Sequence, residues 1–216
     1  MNSGLYFACL GLTLLFSRLA WAQGTPAPAS PPAPAQNSWA YSLTTDGYIV
    51  PGSQSYVSPV FTADHQWLHL EARYNYENQR TGSLWGGYNF TAGKKLQLGV
   101  TPMIGGVFGD TNGIAPGLEL SLTYKRLEFS STSEYVFDTS HKAGSFFYSW
   151  PQLTYSLLDW LKVGVVAQHT KAYHTGLNTQ RGLLVGVSYK KWEFTTYVFD
   201  PELSQPTTVL ELGVSF

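Results

Sequence analysis

Residues 67–216 break into ten segments in which apolar and polar side chains alternate with a period of two. A chain patterned this way forms half-buried strands, since a helix would scatter the apolar positions around its axis. Segment 67–76 sets Leu68, Leu70, Ala72, Tyr74 and Tyr76 against His69, Glu71, Arg73 and Asn75. Segment 117–124 sets Leu118, Leu120 and Leu122 against Glu119, Ser121 and Thr123. The last, 207–216, places Thr208, Leu210, Leu212, Val214 and Phe216 opposite Val209, Glu211, Gly213 and Ser215. The others span 83–90, 96–108, 127–137, 147–157, 161–170, 183–189 and 192–199. The ten-residue length of segment 207–216 matches a tilted strand crossing a bilayer.

The connections carry a second periodicity. Residues 125–126 and 190–191 are two-residue turns, and 92–95 and 158–160 are nearly as short. Between them fall longer connections at 77–82, 109–116, 138–144, 171–182 and 200–206. Short periplasmic turns alternating with longer outer loops are the asymmetry of outer-membrane barrels. Tyr124, Trp160, Tyr189 and Trp192 flank the short turns, where amphipathic rings sit at headgroup level. With its terminal strand ending on Phe216, the chain resembles the bacterial outer-membrane β-barrel proteins. The resemblance implies an all-β, antiparallel, up-and-down transmembrane barrel, with Phe216 as the assembly signal. It also implies outer-membrane lipids and the barrel-assembly machinery as partners, in a Gram-negative envelope.

Composition agrees. Charged residues are 12% and aromatics 15%, against about a quarter charged in an ordinary soluble domain. Residues 1–22 read as a signal peptide: an apolar core over 5–16, too short to span, then Ala20-Trp21-Ala22 before a cleavage point. Cys9 is the sole cysteine and falls in that segment, so the mature chain is expected to hold no disulfide. Residues 23–37 form a Pro/Ala-rich linker, extended and hydrated. The barrel domain is placed at 38–216.

Residues 38–66 are harder to read. Segment 39–48 alternates well, but 55–62 alternates poorly and contains Pro59, which a central strand does not accept. Two strands here give a twelve-stranded barrel with both termini periplasmic. The alternative is ten strands with an N-terminal lid.

With the Leu/Val face toward lipid, six of eight glutamates point into the lumen: Glu71, Glu119, Glu128, Glu134, Glu193 and Glu211. Arg73 and Lys162 stand against them, with His69 beside Glu71. Unpaired buried charge is costly, so these carboxylates face water, take protons or pair with the two cations. The first case makes a narrow cation-preferring pore for small solutes. The second and third make a closed structural barrel without transport. A lipid hydrolase is a third reading, but no histidine stands in an Asn-His-Ser or His-x-Ser arrangement. No catalytic residue, cofactor or nucleic-acid partner is expected. Nor is a metal, since Asp64-His65 is an isolated pair in sequence. Glycines at Gly86-Gly87 and Gly105-Gly106 fall in strands, where they relieve curvature.

Overall fold

The structure, a computed structural model, describes residues 38–140, 142–172 and 176–216; the expected signal peptide and linker lie outside them. The strands are β1 (Ala40–Ile49), β2 (Tyr56–His65), β3 (Leu68–Tyr74), β4 (Thr81–Tyr88), β5 (Phe90–Ala92), β6 (Leu96–Gly109) and β7 (Gly113–Tyr124). They continue as β8 (Leu127–Asp138), β9 (Phe146–Leu158), β10 (Leu161–Ala172), β11 (Asn178–Tyr189), β12 (Trp192–Phe199) and β13 (Thr207–Ser215). Apart from β4 and β5, each pairs antiparallel with its neighbours in the chain, and β1 pairs with β13, so the sheet closes on itself. β4 and β5 are two halves of one stave, interrupted at Asn89, and both pair with β6. The wall therefore has twelve staves, as favoured from the sequence, two of them supplied by residues 40–65 rather than a lid from that segment.

Pro59 is accommodated because β2 overhangs β3. The β2–β3 ladder runs only from Val60 to His65, while Pro59 lies opposite Thr45 of β1. Its missing N–H therefore falls where β2 has a partner on one side alone. Residues 66–67 supply a further two-residue turn on the side of the chain termini, with Gln66 at φ 55°, much like Lys125 and Lys190 in the equivalent turns.

Two outer connections are shorter than the alternation suggests. β6 and β7 run on through residues expected to be loop, leaving 110–112 as the turn; β10 and β11 likewise extend to Ala172 and Asn178. In these stretches glycines and polar residues hide the period, but the backbone ladder continues, with Gly105 opposite Ala115 and Ile104 opposite Pro116.

The faces are assigned by burial. Along β3, His69, Glu71 and Arg73 are buried while Leu70 and Tyr74 are exposed. Leu212 and Val185 are also exposed on the outside. Tyr124, Trp160, Tyr189 and Trp192 stand exposed at the short-turn end. Trp39, Tyr41 and Phe216 stack along the same edge, and so do Trp67, Tyr88 and Phe90. Together they make an aromatic girdle at one end of the apolar belt, as the outer surface of a transmembrane barrel requires.

The interior is divided along its axis. Toward the outer turns it is packed with apolar side chains. Trp85, Met103, Val107, Ala115 and Val136 form one cluster with Phe146 against it. Val166, Leu184, Tyr197, Phe199 and Val209 form another with Tyr48 and Trp150. Gly105 and Gly117 make room for this filling: a Cβ on Gly105 would lie 2.4 Å from the Trp85 ring, and one on Gly117 2.8 Å from it. Gly105 is thus needed for space under the indole as well as for curvature.

Candidate functional site

Toward the short turns the interior opens into a cavity of about 1090 Å³, continuous with the mouth. A smaller chamber of about 370 Å³ lies deeper, and Asp64, His69, Glu119 and Glu211 line both spaces. The deep chamber is roofed by Tyr48, Tyr76, Tyr148, Trp150 and Tyr197. The alternation of the sheet sends every second residue of each strand inward, so polar residues from neighbouring staves meet across the lumen.

Arg73 is the centre of the deepest polar cluster. Its Nε donates to Glu71 Oε2 at 2.6 Å and its Nη1 to Glu134 Oε2 at 2.8 Å, and Glu77 Oε1 lies 3.9 Å from Nη1. The guanidinium sits 4.4 Å from the centre of the Trp85 ring and 4.5 Å from that of Tyr76. All of these groups are buried or nearly so, which makes the pairing a desolvated network and not a surface ion pair. Glu77 also accepts from Ser83 Oγ at 2.5 Å and from Trp85 Nε1 at 3.2 Å.

The network continues toward the mouth. Glu71 Oε1 lies 3.2 Å from His69 Nε2. On its other side His69 Nδ1 is 2.8 Å from Asp64 Oδ1, which also accepts from Asn89 Nδ2 at 2.7 Å. Thr101 Oγ1 closes the run by donating to Asn89 Oδ1 at 2.7 Å. Across the lumen Lys162 donates to Glu193, and Tyr197 donates its hydroxyl to Glu211 at 3.0 Å.

The residues expected to line the lumen are thus distributed in two ways. His69, Glu119, Glu128, Lys162, Glu193 and Glu211 border the large cavity. Glu71 and Arg73 border the deep chamber, and Glu134 is locked behind it on Arg73. Three further acids were not anticipated. Asp46 faces inward from the well-alternating β1, and Asp64 from β2, whose phase Pro59 obscures. Glu77 lies in a connection, and only the turn's reversal brings its side chain back into the barrel. Among the described residues the interior therefore holds Asp46, Asp64, Glu71, Glu77, Glu119, Glu128, Glu134, Glu193 and Glu211, against Arg73 and Lys162. Lys125, Arg126, Lys190 and Lys191 border the mouth from the turns.

Spacing along the chain offers no three-ligand metal set, but the fold assembles one from two staves. Ligand atoms of His69, Glu71 and Glu119 lie within 4.8 Å of one another. Phe216 is held in the closing ladder by reciprocal backbone bonds of 2.9 Å with Tyr41, and the two rings stack.

No family model and no curated protein matches the chain. Solved structures do. The KdgM porin superposes with a TM-score of 0.55 at 12% identity, over 81% of this chain and 99% of that one. KdgM porin in complex with disordered oligogalacturonate gives 0.53 at 11%, over 81% and 98%. The NanC porin gives 0.53 at 12%, again over 81% and 98%. At these identities the likeness is one of fold: a closed barrel of outer-membrane porin type.

Proposed function

We propose that this protein is an outer-membrane barrel that admits small, cationic or neutral solutes into an acid-lined lumen. It reaches the membrane by signal-peptide export and the barrel-assembly machinery, with Phe216 as the assembly signal and outer-membrane lipids around the apolar belt. The observation that carries the reading is the charge of the interior: nine carboxylates and two fixed cations lie inside the barrel, whereas Lys125, Arg126, Lys190 and Lys191 stand only at its mouth. Carboxylates lining a confined path hold cations there and repel anions. The fold neighbours named as porins support passage of solutes. Oligogalacturonate, the ligand in one of them, is a polymer of carboxylated sugars and would meet repulsion in this interior.

A closed structural barrel is favoured by one specific observation. Phe199, Val136 and Val209 fill the outer half and are fully buried. Passage through the pore therefore requires the aromatic roof over the deep chamber to part. A lipid hydrolase gains no support, since the His69–Asp64 pair faces the lumen, away from the lipid.

Purified protein in planar bilayers, with chelator present, tests the reading. A pore gives discrete openings and a cation-selective reversal potential. Glu128→Gln with Glu211→Gln lowers that selectivity while leaving stability nearly unchanged. Electrical silence under all voltages refutes the pore and leaves the closed scaffold, whereas anion-selective openings refute the cation preference.

A further inference from the structure

The geometry points to a binding site for one divalent transition-metal ion of the zinc class, formed by His69, Glu71 and Glu119 inside the barrel. The site does not depend on whether the barrel conducts.

His69 is buried, only 5% exposed, and its two ring nitrogens have different fates. Nδ1 lies 2.8 Å from the Asp64 carboxylate, an acceptor, so the proton of the neutral ring belongs on Nδ1. That leaves the Nε2 of the neutral ring with a lone pair turned toward Glu71. Nε2 is buried and makes no hydrogen bond, although Glu71 Oε1 stands 3.2 Å away. A lone pair and a carboxylate oxygen this close repel unless a proton or a cation sits between them. A carboxylate on the far nitrogen is the arrangement that orients and strengthens a metal-binding imidazole.

The spacing fits. Tetrahedral zinc, with bonds of about 2.0–2.2 Å, sets its ligand atoms roughly 3.3 Å apart. The His69–Glu71 edge already has that length, and Glu119 completes the set within 4.8 Å. Closing the remaining gap needs only rotation of the flexible Glu119 side chain. Arg73 holds Glu71 through its other oxygen, Oε2, leaving Oε1 turned toward His69 Nε2. One imidazole and two carboxylates suit zinc, cobalt or nickel better than calcium or magnesium, which prefer oxygen alone. His69 and Glu119 both border the large cavity, so an ion can arrive from the mouth and keep a solvent molecule as its fourth ligand.

The charge balance points the same way. Asp64, Glu71, Glu77, Glu119 and Glu134 surround Arg73 as the only permanently charged cation of this cluster. A divalent ion relieves half of the four-charge excess.

The test uses the full protein folded in detergent and stripped with chelator. Titrated Co²⁺ should give a visible d–d absorption band at one equivalent per barrel, and Zn²⁺ should abolish it by competition while Ca²⁺ does not. His69→Gln and Glu119→Gln should each weaken binding at least tenfold, and Asp64→Asn should weaken it by about 10–100-fold, as losing a supporting carboxylate does. His169→Gln, a histidine on β10 bonded to Thr179, should leave the titration unchanged. Absence of the band in wild-type protein overturns the site without recourse to any variant. Equal binding by wild type, His69→Gln and Glu119→Gln overturns it too.

Discussion

Replacing Arg73 by Met removes the one cation shared by Glu71 and Glu134 while keeping most of the side-chain volume against Trp85 and Tyr76. Two buried carboxylates lose their partner, and breaking a buried pair this way costs about 3–5 kcal/mol. A stranded carboxylate escapes by taking a proton, which at pH 7 costs about 3.7 kcal/mol from an ordinary value near 4.3, so each one contributes no more than that. Glu134→Gln alone is milder. Arg73 keeps Glu71, and one charge-assisted bond is lost, worth about 1.5–3 kcal/mol. In the double variant the stranded Glu134 charge no longer exists, so the combined loss should fall below the sum of the singles by about 2 kcal/mol or more. Urea unfolding of the barrel in lipid vesicles, with chelator present and tryptophan emission as the signal, measures all four proteins. Additivity within about 0.5 kcal/mol would show that Arg73 and Glu134 do not act on each other, and the buried network would be wrong.

Arg placed at Val185 or Leu212 on the exposed belt should cost about 2–4 kcal/mol near the midplane, against much less for Arg at Ser121, which lines the cavity; vesicle unfolding reads the order, and its reversal refutes the face assignment. Gly105→Ala drives a Cβ to 2.4 Å from the Trp85 ring and should destabilise by about 1–3 kcal/mol, whereas Gly106→Ala, with nothing within 4 Å, should be close to neutral in the same assay. Deleting Phe216, or changing it to Ser, removes the stacked ring beside Tyr41 and should lower the folded, heat-modifiable fraction in outer-membrane preparations; wild-type levels would refute its assembly role.

The barrel was legible because alternation and connection length are local signals. From Leu68 onward the expected strands match the observed ones to within a few residues, save where glycine, proline or polar residues masked continuing ladders, as at Gly113 to Pro116. Where a strand's phase is clear, the residues expected inside, such as Glu71, Glu119 and Lys162, border the cavities; Asp64 is hidden by the broken phase of β2, and Asp46 lies on a well-alternating segment from which no inward residue was drawn. Glu77 escaped for another reason, since no period applies in a turn. The meeting of His69 and Glu71 with Glu119 depends on how β3 and β7, with two staves between them in the wall, turn their inner faces toward each other, which no spacing along the chain records. The apolar filling of the outer half was also invisible, because Val209 and Phe199 read as ordinary members of alternating runs.

The ladder between β1 and β13 sets the order of events in folding. Every other ladder joins neighbours in the chain, but Ser42 meets Ser215 across 215 − 42 = 173 residues. Closing a loop of that size costs about 2.5 kcal/mol more chain entropy than closing one of about ten residues. The hairpins therefore zip first and this seam last, which makes closure the slow step. Until it closes, the sheet carries two free edges into a solvent that cannot satisfy their N–H and C=O groups. The eight residue pairs from Ser42 to Ile49, with the Tyr41–Phe216 exchange beyond them, therefore separate a lasting barrel from a sheet that adds a neighbour's strand instead.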